Sequence, residues 1–87
     1  MRSQTITIQE PNGIHFRVAA QVVQATKQHQ SRIVFYKDGK QASAESILEL
    51  LILEATHQSQ VTIVAEGVDE DKAIEHVGLV LMDGAGI

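Results

Sequence analysis

The 87-residue chain has no cysteine, no tryptophan, one proline and three aromatic residues. Without cysteine it can build neither a disulfide framework nor a thiolate zinc site. Phe16, Phe35 and Tyr36 are its only flat phenyl rings, too few to form the stacking platforms of a single-strand nucleic-acid binder. Positive charge is also scarce, seven Lys and Arg against eleven Asp and Glu for a net charge of -4. Nonspecific nucleic-acid binding needs a basic face, so this balance argues for no nucleic acid. No apolar run approaches the roughly 20 residues of a membrane span, and Met1 to Ile6 lack the apolar centre of a signal peptide. The expectation is a cytoplasmic protein with no membrane association. A hydrophobic fraction of 44% is ample for a packed core, and the length suits one domain over residues 1–87.

Ile6 and Ile8 alternate with Thr5, Thr7 and Gln9, which predicts a half-buried strand over 4–9. Pro11-Asn12-Gly13 ends it. From Phe16 to His29 the spacing becomes helical, with Ala19, Val22, Val23 and Thr26 on one face. Arg32 to Tyr36 reads as a second strand. Asp38-Gly39 is the pair favoured in a type I′ hairpin turn, and Lys40 to Ala44 is the short return strand. Ser46 and Glu49 fit a capping box, in which the hydroxyl accepts from Glu49 N–H and the carboxylate reaches back to Ser46 N–H. A helix over 47–56 follows, apolar nearly all round, so some of Ile47, Leu48 and Leu51 should be exposed as a partner surface. Gln60 to Ala65 alternates as a fourth strand. Asp69, Glu70 and Asp71 open a last helix with the stripe Ala73, Ile74, Val77, Val80 and Leu81, ended by Gly84-Ala85-Gly86. The order β-α-β-β-α-β-α predicts an α+β domain with helices on one face of a mostly antiparallel sheet.

None of the four histidines forms an HxxxH pair, so no metal is expected. His29 and His57 fall at predicted helix carboxyl ends, and His76 on the polar side of the last helix, all ordinary places for an imidazole. His15 stands instead between the Gly13 turn and a helix start, with Arg17 two residues on. Free N–H groups at a helix start make an anion site, and Arg17 adds a fixed cation. A neutral, nucleophilic imidazole there suits a phosphoryl group. The same position equally suits a histidine that merely caps the helix.

Gly13-Ile14-His15-Phe16-Arg17-Val18-Ala19-Ala20 resembles the active-site motif of HPr, the histidine phosphocarrier of the bacterial sugar phosphotransferase system, which reads G-[LI]-H-[AT]-R-P-A. The similarity extends to Asp38-Gly39-Lys40, to Ala44-Glu45-Ser46-Ile47 and to the run Ala65 to Glu70. It implies an open-faced β-sandwich, a four-stranded sheet with three helices on one face. It also implies a phosphoryl group carried on His15 and held by Arg17 and the N–H groups of Phe16 and Arg17. The donor would be a phosphoenolpyruvate-dependent enzyme I and the acceptors enzyme IIA-type proteins, docking on Ile47, Leu48 and Leu51. Such a protein is a stoichiometric carrier rather than a turnover enzyme, and it needs no cofactor. In many members the serine matching Ser46 is a regulatory phosphorylation site, served by a serine kinase/phosphorylase and read by a transcription regulator.

Three departures from the family pattern bear on this. Phe16 replaces a small residue beside the acceptor, and either obstructs a partner or supplies a new apolar contact. Val18 replaces proline, which frees the unfolded chain at about 0.4–1 kcal/mol. Glu45 and Glu49 replace residues that are usually Lys, Arg or Gly. With Glu54, they place acid around the docking patch and oppose a phosphate on Ser46. Two other readings stay open: a diverged module that regulates by docking alone, and an unrelated ferredoxin-like α+β domain.

Overall fold

A computed structural model describes residues 1–82. The elements run β1 (Arg2–Thr7), α1 (Phe16–Lys27), β2 (Arg32–Lys37), β3 (Lys40–Ser43), α2 (Ile47–Ile52), β4 (Gln60–Glu66) and α3 (Glu70–Met82). The expected order is present, and every strand pair is antiparallel, in the sheet order β1-β4-β2-β3. Gly84-Ala85-Gly86 lies outside the described residues.

Period-two alternation sets the sheet's two faces. Ile6, Ile33, Phe35, Ala42, Val61, Ile63 and Ala65 are buried toward the helices, whereas Thr5, Tyr36 and Val64 point the other way and stay partly or fully open. Helices cover one face only, as in an open-faced sandwich. Complete burial of a side chain such as Phe35, Leu50 or Ile63 contributes on the order of 1.5–3 kcal/mol. The α1 stripe is as expected, with Val18 and Ala25 added to it. In α3, Gly78 joins Ala73, Ile74, Val77 and Leu81 in the core, and Val80 is partly buried against it.

Element ends differ from the sequence reading. β1 is Arg2–Thr7 rather than 4–9, because its ladder with β4 runs from Arg2↔Ala65 to Thr7↔Gln60. Ile8 is still buried, but it bonds to the loop before β4, through Ser59 C=O and Gln58 N–H. α1 stops at Lys27. α2 is six residues long instead of ten. It ends because Glu54 takes a left-handed backbone (φ 58), which turns the chain and sends Ala55 into the core. The β2–β3 turn is as expected, with Asp38 (φ 50) and Gly39 (φ 81) both at positive φ.

Asp69 was expected only to open α3. Its C=O does accept the first helical bond from Ala73 N–H (2.9 Å), but its carboxylate crosses to the end of α1. There it accepts from Gln30 N–H (3.0 Å), Ser31 N–H (2.9 Å) and the Ser31 hydroxyl. His29 Nδ1 lies 3.2 Å away, and His29 Nε2 is 2.9 Å from His76 Nδ1. In the neutral state His76 Nδ1–H donates to His29, and His29 Nδ1–H donates to Asp69. The ordinary roles assigned to His29 and His76 are thereby replaced by one chain of bonds tying α3 to the end of α1.

The Ser31 hydroxyl, then the Gln30 N–H, with His29 and Ser31 N–H adding to them, hold the Asp69 carboxyl down at about 2. A carboxyl depressed by folding stabilises the fold above its unfolded value and loses that contribution as pH falls through its folded value. Urea midpoints should therefore fall between about pH 4 and about pH 2. Asp69→Asn should be less stable than the parent at pH 7, and the gap should close toward pH 2. A gap that does not change with pH would show that the carboxylate's charge is not what matters.

Candidate functional site

The site begins with the loop between β1 and α1. Glu10 C=O accepts from Gly13 N–H (2.9 Å), closing a turn over Pro11 and Asn12. Ile14 N–H then donates to Ala55 C=O (2.8 Å), fastening the loop to the segment after α2. Gly13 has φ +68, and a Cβ on it would lie 2.2 Å from the Ala55 oxygen, so only glycine fits there.

His15 follows as the N-cap residue of α1, with extended backbone and no side-chain capping bond. This separates the two readings of its position: the imidazole does not cap the helix. The first helical bond is Ala19 N–H to His15 C=O (2.9 Å), so the N–H groups of Phe16, Arg17 and Val18 precede the ladder and point out of the helix end. Val18 in place of proline supplies one more of these donors, and its side chain is buried in the core. Arg17 is exposed and enters none of the ion pairs among the described residues. Phe16 is 65% exposed.

One neighbour of His15 escaped the sequence reading. Glu10 Oε1 stands 3.8 Å from His15 Nε2, with the Glu10 side chain only 14% exposed. The signal was available: a four-residue turn ending at Gly13 folds position 10 back toward position 15.

The second group of residues lies on α2, which packs against α1. Leu48 is 66% exposed and Ile52, not singled out from the sequence, is also open. Ile47 and Leu51 are partly buried against the core, while Leu50 and Leu53 anchor the helix from inside. Ser46 caps the helix, its hydroxyl accepting from Glu49 N–H (3.2 Å). The reciprocal half of the capping box is absent. Ser46 N–H already donates to Ser43 C=O (3.2 Å), and the Glu49 carboxylate accepts from Ser43 N–H instead (2.9 Å). Glu54 pairs with Lys40 Nζ at 3.3 Å. Of the three acids expected to rim this patch, Glu45 alone has a carboxylate without such a partner among the described residues.

Among the described residues no cluster of three or more His, Asp or Glu could hold a metal ion, and no helix is long and apolar enough to cross a membrane.

These features coincide with those of a known family. Residues 2–82 match the PTS-HPr family model, described as "PTS HPr component phosphorylation site". The chain is 42% identical over 77 residues to phosphocarrier protein HPr of Haemophilus influenzae, covering 88% of this chain and 91% of that one. It is 35% identical over 75 residues to the HPr-like protein Crh of Bacillus subtilis, covering 86% and 88%. The crystal structure of HPr-C-His from Thermoanaerobacter tengcongensis superposes with a TM-score of 0.94 at 33% identity, covering 100% and 98%. The chain belongs to the HPr family, and the ferredoxin-like alternative is set aside.

Losing the cap should be measurable in so short a helix. Ser46→Ala should lower stability by about 1 kcal/mol in urea denaturation, and Ser46→Asn, an equally good cap without added charge, should restore most of it. Equal losses in both variants would mean that the hydroxyl does not act as a cap.

Proposed function

We propose that this protein is a phosphocarrier that accepts a phosphoryl group on His15 and passes it on. The observation that carries the reading is the uncapped start of α1. The His15 side chain leaves the N–H groups of Phe16 and Arg17 unused, beside an Arg17 guanidinium with no partner among the described residues. A phosphoryl group on the imidazole would meet those donors and the positive end of the helix dipole. Arg17 can grip two of its oxygens at once.

The donor is an enzyme I-type protein charged by phosphoenolpyruvate, and the acceptors are enzyme IIA-type proteins of sugar uptake, all in the cytoplasm. They dock on Leu48 with the flanking Ile47 and Leu51. The exposed Phe16 ring, next to His15, offers a partner a further apolar surface. Ser46 is a helix cap first. A phosphate there would face Glu45 and Glu49, so control through a serine kinase/phosphorylase is disfavoured.

Incubation with phosphoenolpyruvate, magnesium and enzyme I should add one acid-labile phosphoryl mass to the intact protein, and none to His15→Ala. Arg17→Ala should accept it more slowly by at least tenfold, as expected from losing a charge-assisted bond worth about 1.5–3 kcal/mol. An adduct that persists in His15→Ala would sink the reading. Regulation by docking alone is the second reading, and the similarity to Crh of Bacillus subtilis, described as a catabolite repression HPr, favours it. On that reading, capture of a partner is lost in Leu48→Glu but untouched in His15→Ala.

A further inference from the structure

We propose that Glu10 is a positioning residue for phosphoryl transfer. It fixes which imidazole nitrogen of His15 attacks and balances the charge that the ring acquires. The proposal rests on the reading of His15 as the phosphoryl acceptor.

The geometry is one-sided. Glu10 Oε1 faces His15 Nε2 at 3.8 Å, a charge contact rather than a hydrogen bond at this distance. The carboxylate has no other ion-pair partner among the described residues. Both residues are held by the same backbone, since Glu10 C=O closes the turn at Gly13 and Ile14 is bonded to Ala55. Arg17, on the helix start, is a further charged group of this region, and Glu54 and His57 flank the Ala55-Thr56 segment that Gly13 packs against.

A neutral imidazole carries its proton on one nitrogen and a lone pair on the other. With a carboxylate facing Nε2, the tautomer with Nε2–H is attracted, and the tautomer with a bare Nε2 sets lone pair against anion. The proton therefore stays on Nε2 and Nδ1 becomes the nucleophile. In the forward step the Nδ1 lone pair forms the bond to phosphorus while the bond from phosphorus to the donor breaks, its electron pair leaving with the donor. The Nε2 proton remains, so the ring becomes a phosphorylated imidazolium, and Glu10 now faces a positive charge. When the phosphoryl group moves on, the electron pair of the N–P bond returns to Nδ1 and the ring is neutral again. Glu10 thus favours the charged carrier over the empty one.

The test uses the full chain and Glu10→Gln, with Glu10→Ala as a second variant, each checked for folding by its amide spectrum. Ring ¹⁵N shifts of unphosphorylated His15 should show mainly Nε2–H in the parent and a smaller share in both variants. After charging with phosphoenolpyruvate and enzyme I, the transfer equilibrium should favour the carrier about two- to fivefold less in the variants, the range for a partly exposed ion pair. Normal charging with unchanged ring shifts and an unchanged equilibrium would overturn the role of Glu10 alone. Failure of every form to take a phosphoryl group on His15 would overturn the phosphocarrier reading, and this proposal with it.

Discussion

The contact on which the site depends is the one between Gly13-Ile14 and the chain just after α2. The Ile14 N–H to Ala55 C=O bond and the close approach of Gly13 to the Ala55 oxygen set where the loop leaves β1 and where α1 begins. Because His15 is the residue at which α1 begins, its imidazole, the free N–H groups and Arg17 inherit their positions from that contact. Ala55 is in turn buried because Glu54 reverses the chain. The proposed acceptor site and the exposed face of α2 are therefore two ends of one local arrangement.

A second constraint holds the far end of α1. Asp69 gathers the N–H groups of Gln30 and Ser31, the Ser31 hydroxyl and His29, and His29 bonds onward to His76. These bonds satisfy backbone donors that leave α1 without a helical partner. α1 is thereby fixed at its start by a glycine contact and beyond its end by a carboxylate. A helix start held against rotation keeps its N–H groups aimed at one place, as the proposed phosphoryl site requires.

The order of elements was legible because each signal is local: alternation in the strands, helical spacing in α1 and α3, and Asp38-Gly39 at the hairpin. The positions of His15 and Arg17 at a helix start were legible for the same reason. The carboxyl end of α2 was not, since it depends on Glu54 taking a left-handed backbone that draws Ala55 into the core, and no glycine or proline marks that reversal. Nor was the partner of Glu49. A capping box assumes that Ser46 N–H is free, and here Ser43 C=O takes it. The His29–His76 bond joins residues 47 positions apart and becomes visible only once α1 and α3 are packed together. Glu10 lies between these cases: the turn that returns it to His15 is written in Pro11-Asn12-Gly13, but its carboxylate has meaning only beside the ring.

The charge balance that first excluded nucleic acid bears differently on the docking face once the bonds are known. Isolated helices shorter than about 12–15 residues are marginal in water, so the six residues of α2 depend on Leu50 and Leu53 inside and on Ser46 at the start. With those positions turned inward, the helical period leaves Leu48 and Ile52 outward and exposed, four residues apart on one face. The acids around them are less free than their number suggests. Glu49 is held on Ser43 N–H and Glu54 on Lys40, which brings a positive charge to the same rim. Repulsion of an acidic partner therefore falls mainly to Glu45 and Glu49, since a bond from a neutral N–H leaves the Glu49 charge in place, while Lys40 offsets Glu54. The acidic composition therefore weighs on the α2 face through two carboxylates rather than three, because the Lys40 ammonium offsets Glu54 there.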